Sequence, residues 1–254
     1  MKQAKNPVKT VETSIEILSK MKDLDSATVT TLAEELDYTA GTIHSHLATL
    51  EENHFVVKND DGEFQLGIRF FEIGEDIRKQ KTIYEVGVSE VDKLAEETGD
   101  IGSMLIEEHG RGVYLYRARG EQALHLDTEV GSRVHLHNTG LGKAILAHMP
   151  SDRVEDIIDQ YGLPKSTPNT ITDPNELFDE LETIREQGYA LDRQERADGV
   201  FCVAAPVLTN QGEVLSSVSV AGPVSRMNDK RHRSDVQELV QNVAKVIGIN
   251  ASYV

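Results

Sequence analysis

One cysteine, no tryptophan and an aromatic content of 5% are the first absences in this 254-residue chain. A lone Cys202 cannot close an internal disulfide, so nothing here asks for an oxidising compartment. With aromatics scarce, the cores must be packed by Val, Ile and Leu. No apolar run approaches the ~18 residues of a membrane span, and the opening MKQAKNPVKT lacks the apolar core of a secretory signal. A cytoplasmic protein without membrane contact is expected, and the length suits two domains.

Positive charge is also scarce: Lys+Arg 26 stand against Asp+Glu 43, a net charge of −17. Residues 1–70 carry seven basic and twelve acidic side chains, −5, and the remainder is −12. Yet Thr28 to Leu66 reads as two short amphipathic helices around a tight turn, then two strands and a hairpin, the order of a winged helix-turn-helix. In its second helix Ile43, Leu47 and Leu50 recur at i, i+4, i+7 and turn inward, which leaves Ala40, Gly41, Thr42, His44 and Ser45 pointing elsewhere. These small or hydrogen-bonding residues fit a groove of double-stranded DNA. Thr39 and Thr49 at the two ends of the helix and Lys58 on the wing complete the expected contact set. His44 is either a DNA contact or an ordinary exposed side chain, while His46, on the inward side, reads as a packed structural histidine. Two accounts meet the acidity: the domain does not bind DNA, or it works in molar salt, where acidic surfaces stay hydrated and phosphate electrostatics is screened. The second is favoured because Thr39 to Leu50 contains no acidic residue.

Periodicity predicts a first helix over Thr10 to Met21 with Val11, Ile15, Leu18 and Met21 inward. Thr30 or Thr31 caps the next helix, Thr31 with Glu34 having capping-box spacing, and Thr39 caps the third. Asn59-Asp60-Asp61-Gly62 makes the hairpin turn. The division expected is 1–67 for the winged helix-turn-helix, 68–80 for a linker helix and 81–254 for an effector-binding and oligomerisation domain. In the last, a helix stopped by Gly99 precedes strands at Ile101–Glu107, Gly112–Arg117 and Ala123–Leu126. Helices at Leu141–Met149 and Asn175–Gln187, strands at Tyr189–Arg193, Val200–Leu208 and Val214–Val220, and a terminal helix follow. The class is α+β, an antiparallel sheet covered by helices.

LATLEENHFVV with the Leu66–Gly67 pair, GLGKAILAHMP at Gly140–Pro150 and GYALDRQERADGVFCVAAPVLTNQGEV at Gly188–Val214 form three ordered blocks. With them the chain resembles the IclR family of transcriptional regulators over nearly its whole length. The resemblance implies a winged-helix DNA-binding domain, a connecting helix and a GAF- or PAS-like effector domain, assembled as a homodimer or dimer of dimers. It departs at Ser45, where the family commonly carries an arginine; one phosphate or guanine contact is then missing, a smaller loss in molar salt. From the residues alone, Asn138–Gly142 enters a helix whose first N–H groups lack intrahelical partners and suit an anion, or is simply a helix capped by Thr139. The resemblance makes Thr139, Gly140 and Leu141 amide contacts to the acid group of a small organic acid or sugar-derived effector. It also turns Asp192, Cys202, Ser217 and Ser219 toward the effector cavity. On the residues alone the serines are i, i+2 on one strand face, whether facing a ligand or solvent. Cys202 is then a small buried hydrophobe, and Asp192 a partner for Arg193 or Arg196.

Other chemistries lack their residues. Gly140-Leu141-Gly142-Lys143 is no phosphate-binding loop, since His137 and Ala144 stand where that motif needs Gly and Ser or Thr. His135 and His137, i, i+2 on an expected strand, present two metal nitrogens at most, with Asp192 or Cys202 nearby. Glu107, Glu108, Glu195, Arg196 and Asp198 meet no nucleophile or oxyanion site, so no catalytic residue, metal or cofactor is expected. The remaining alternatives are a small-molecule enzyme, or a thiol or metal sensor, whose N-terminal domain serves dimerisation.

Overall fold

Helix α1 (Lys9–Leu24) turns Thr13, Ile17 and Met21 inward. Val11 and Ile15, expected inside, are 53% and 57% exposed. A helical spacing is satisfied from 11 or from 13, and Thr13 qualifies for the interior because its hydroxyl meets the Tyr38 hydroxyl at 3.3 Å. Helix α2 (Val29–Leu36) is capped by Thr28, whose Oγ1 accepts the Thr31 N–H at 3.1 Å. Thr30 and Thr31 cannot serve as caps, because they already lie inside the first turn. The left-handed Asp37 ends α2, and Thr39 caps α3 (Ala40–Glu52) by accepting the Thr42 N–H at 3.1 Å. Strands β1 (Val56–Lys58) and β2 (Phe64–Leu66) pair antiparallel around Gly62, where φ is +85°. Ile17, Met21, Leu32, Ile43, Leu47, Val56 and Phe64 form the core of these elements. Helix α4 (Arg69–Lys79) follows and buries none of its residues.

This computed structural model describes residues 5–253, and the chain divides into two compact units between Arg78 and Lys79. Among the described residues no helix is long and apolar enough to cross a membrane.

The second unit begins with α5 (Thr82–Thr98), closed by a left-handed Gly99, and continues through β3 (Ile101–Glu108), β4 (Arg111–Arg119) and β5 (Arg133–Val134). Then come α6 (Gly140–Leu146), α7 (Ser151–Tyr161), α8 (Pro174–Gln187), β6 (Ala190–Arg193), β7 (Val200–Leu208), β8 (Val214–Pro223), α9 (Val224–Met227) and α10 (Lys230–Ala251). The six strands form one antiparallel sheet in the order β5-β4-β3-β8-β7-β6. Alternation sorts its residues: Met104, Val203, Val218 and Val220 pack with α5 and α10, whereas Leu105, Cys202, Ala204 and Ala221 pack with α6 and α8.

Two expectations fail here, and one helix lies where none was expected. Ala123–Leu126 is not a strand, because β4 takes the short β5 as its edge partner and residues 120–132 arch between the two. His135 and His137 lie past the end of β5, so no strand presents them. Helix α7 was not anticipated: its sequence SDRVEDIIDQY is mostly polar and buries only Val154 and Ile157.

Candidate functional sites

Strand register assembles the site in the second unit. Ser103 pairs with Ser219 across β3 and β8, while Cys202 lies between Ala221 and Asp192 across β8, β7 and β6. All five share one face. Over it comes the start of α6, where Thr139 Oγ1 accepts the Gly142 N–H at 2.9 Å and the first-turn N–H groups have no carbonyl within the helix. Glycine permits this approach. A Cβ on Gly142 would lie 2.2 Å from Leu136 O, and one on Gly140 would lie 3.3 Å from Cys202 Sγ.

A cavity of about 30 Å³ results. Thr139, Gly140, Leu141, Asp192, Cys202 and Ser219 line it; Ser217 shares the face of Ser219 but lies outside the lining. Ser219 Oγ is buried without an oxygen or nitrogen partner. The structure adds lining residues that sequence reasoning missed: Ser103, Tyr114, Arg117, Leu126 and Arg196. The missed arginines belong to β4 and to the turn after β6, and no sequence spacing relates them to α6.

Beneath the cavity lies a buried charge network. Lys143, completely inaccessible, donates to Glu195 Oε1 at 2.7 Å and to Glu180 Oε1 at 3.0 Å. Asp192 pairs with neither Arg193 nor Arg196; its Oδ1 accepts the Glu195 N–H at 2.7 Å. Arg193 reaches Glu180 at 3.5 Å and Arg196 reaches Asp127 at 3.1 Å. Burial, reinforced by the Glu195 carboxylate, pushes Asp192 up to about 7. Burial likewise pushes the Cys202 thiol up to about 12, which leaves no thiolate for redox chemistry near neutrality.

The Asp192 shift has a defined sign. Above the ordinary carboxylate value the unfolded chain has lost this proton while the folded chain keeps it. Stability is therefore fully present at low pH and falls as pH rises through about 7. Asp192→Asn keeps the Oδ1 acceptor and removes the titration. Between pH 5 and pH 8 its thermal midpoint is expected to rise relative to that of the wild type. Parallel pH profiles for the two proteins would show that Asp192 ionises freely.

His137 Nε2 meets Pro164 O at 3.1 Å, and Arg111 Nη1 donates to His135 Nε2 at 3.0 Å. Both histidines line a separate cavity of about 10 Å³, apart from the one holding Asp192 and Cys202. Burial lowers His137 to about 4. Among the described residues no three His, Cys, Asp or Glu side chains gather as a metal would require.

In the first unit, Thr39, Ala40, Gly41, His44, Ser45 and Thr49 of α3 and Lys58 of β1 are exposed, and Thr42 is partly so. Their hydroxyls are held by the helix itself: Ser45 Oγ donates to Gly41 O and Thr49 Oγ1 to Ser45 O, both at 3.0 Å. His46 turns away from this face and its Nδ1 meets Ser14 Oγ at 2.8 Å.

A helix-and-hairpin unit joined to a sheet unit with a polar cavity is the layout of a sensor coupled to a second module. The family model for the bacterial transcriptional regulator IclR C-terminal domain matches residues 77–249. The chain belongs to the IclR family of transcriptional regulators. It is 32% identical over 247 residues to a Halobacterium salinarum protein named "Probable HTH-type transcriptional regulator ArcR", covering 95% of this chain and 93% of that one. The crystal structure of Thermotoga maritima IclR superposes with a TM-score of 0.81 at 27% identity, over 96% of this chain and 99% of that one. An IclR homologue of Microbacterium hydrocarbonoxydans, solved with 4-hydroxybenzoate, shares the fold with a TM-score of 0.82 at 19% identity, over 96% and 100% of the two chains. The fold and these relatives are those of regulators, not enzymes.

Proposed function

We propose that the chain is a cytoplasmic, sequence-specific DNA-binding regulator controlled by a small organic acid or sugar-derived effector. Residues 1–67 are a winged helix-turn-helix, 68–80 a linker helix and 81–254 a GAF-like effector and oligomerisation domain. Helix α3 lies in the major groove with Thr39, Ala40, Gly41, Thr42, His44, Ser45 and Thr49 toward the bases, and Lys58 of the wing touches a phosphate. Support comes from the exposure of these side chains on a helix face without acid. The net charge of −17 supports work in molar salt, where lost phosphate attraction matters least.

The sensing half is carried by one observation: Gly140 and Leu141 at the start of α6, Ser219 and two arginines line one cavity. Such a set takes a carboxylate, and the Microbacterium homologue is complexed with one in 4-hydroxybenzoate. Control follows by population shift: the acid binds one arrangement of a homodimer, or dimer of dimers, better than another and changes the spacing of its two DNA-binding domains. At least one small carboxylic acid should shift the DNA dissociation constant by about 5-fold or more. Ser219→Ala should abolish that shift with DNA binding of the free protein intact, while Ser217→Ala, outside the lining, should retain it. Equal DNA affinity with and without every acid tested would sink the switching mechanism.

A further inference from the structure

The cavity of about 30 Å³ has room for only two or three waters, at ~10–15 Å³ each, so an organic acid must widen it to enter. Along it runs the arch of residues 120–132, whose Leu126 is part of the lining. The arch is fastened at its ends by backbone bonds, Gln122 N–H to Gly99 O at 2.9 Å and Gly131 N–H to Tyr114 O at 2.8 Å. Its middle is held from the cavity side by the two lining arginines. Arg196 grips the Asp127 carboxylate with both terminal nitrogens, at 3.1 and 3.3 Å. Arg117 donates to the backbone and the hydroxyl of Thr128 and, at 3.3 Å, to Ser103 Oγ.

The two arginines are not equally satisfied. Asp127 is largely exposed on its own side, so its pair with Arg196 is weak. Arg117 has no carboxylate within ion-pair distance among the described residues; burial lowers its pKa, the Asp127 carboxylate held by Arg196 acts on it only from farther off, and it lies over the Tyr114 ring. A half-buried guanidinium that shares one exposed carboxylate with a second arginine suits a further anion, since a planar fork of donors matches a carboxylate bidentately. Neutral oxygens of Thr128 and Ser103 take its hydrogen bonds, and the nearest acid, Asp127, is shared with Arg196.

Resting on the reading of this cavity as the effector site, we propose that the effector is a small dicarboxylate. One carboxylate is held by the α6 amides and Ser219. The other takes Arg117 and Arg196 by displacing Asp127 and Thr128. Asp127 is then an internal competitor that holds the arch shut until a second acid group replaces it. The polarity is self-consistent: the two guanidinium charges face a diacid, and Asp192 stays protonated up to about neutral pH and adds no repulsion below it.

Calorimetric titration of the full-length protein in potassium chloride at fixed concentration tests this, with succinate, glutarate and adipate against butyrate, pentanoate and hexanoate. At least one diacid should bind more than 10-fold tighter than the monoacid of equal length, and Arg117→Gln should erase that preference. Asp127→Asn, at an exposed position where folding is not at stake, should tighten the diacid several-fold and monoacids by a smaller factor. Monoacids binding as well as diacids, or an Asp127→Asn protein unchanged toward diacids, would overturn the dicarboxylate latch with the acid pocket still standing. No binding of any acid to any of the proteins would overturn the effector pocket together with it.

Discussion

Lys143→Ala should destabilise the sheet unit by about 3–5 kcal/mol, the cost of breaking a buried ion pair by removing one partner. The Nζ lies within 3.0 Å of two carboxylates, one of which, Glu195, is 4% exposed. Deleting the ammonium leaves that carboxylate beside Asp192 with no cation in its place. At ~2–4 °C per kcal/mol for a unit of this size, the thermal midpoint should fall by roughly 6–20 °C. The double change Lys143→Met with Glu195→Gln should recover much of the loss, because no unpaired charge remains buried. A single-variant loss below about 1 kcal/mol would show that water reaches this pair.

Ser45→Glu should weaken DNA binding by at least about 100-fold at low salt, since a like charge set against the phosphate-lined groove costs several kcal/mol. The position is exposed at the centre of the acid-free face, and the fold does not depend on it: the Ser45 hydroxyl binds only the Gly41 carbonyl of its own helix. Ser45→Arg is the converse. It should tighten binding at low salt and steepen the salt dependence by about one unit of slope. Anisotropy titrations of a labelled operator across potassium chloride concentrations read both effects. Wild-type affinity in Ser45→Glu at every salt would remove α3 from the groove.

Periodicity and short-range chemistry made much of this legible. Ile43, Leu47 and the Thr39 cap define α3 in the sequence itself, and the Asp-Gly pair before Glu63 marks the hairpin. The α6 entrance was legible through its glycines, because Gly142 is required by a backbone contact only six residues away. What failed was decided at long range. Thr13 is inside through Tyr38, 25 residues on, and Ala123–Leu126 lost its strand because β5 took the edge of β4. Arg117 and Arg196 meet at the cavity through sheet register and the arch between β4 and β5, which no local pattern encodes. Ser217 and Ser219 look identical by alternation, and only the placement of α6 separates the lining residue from its neighbour.

A ligand-controlled reader of DNA must here work despite a charge of −17. Selection of random duplexes by the full-length protein, carried out in parallel at low salt and in molar potassium chloride, tests it most directly. The predicted result is enrichment, persisting in molar salt, of a palindrome whose half-sites lie about one helical turn or a multiple apart. Failure to enrich any sequence at either salt would contradict it, and the helix-and-hairpin unit would then be an assembly module and not a reader.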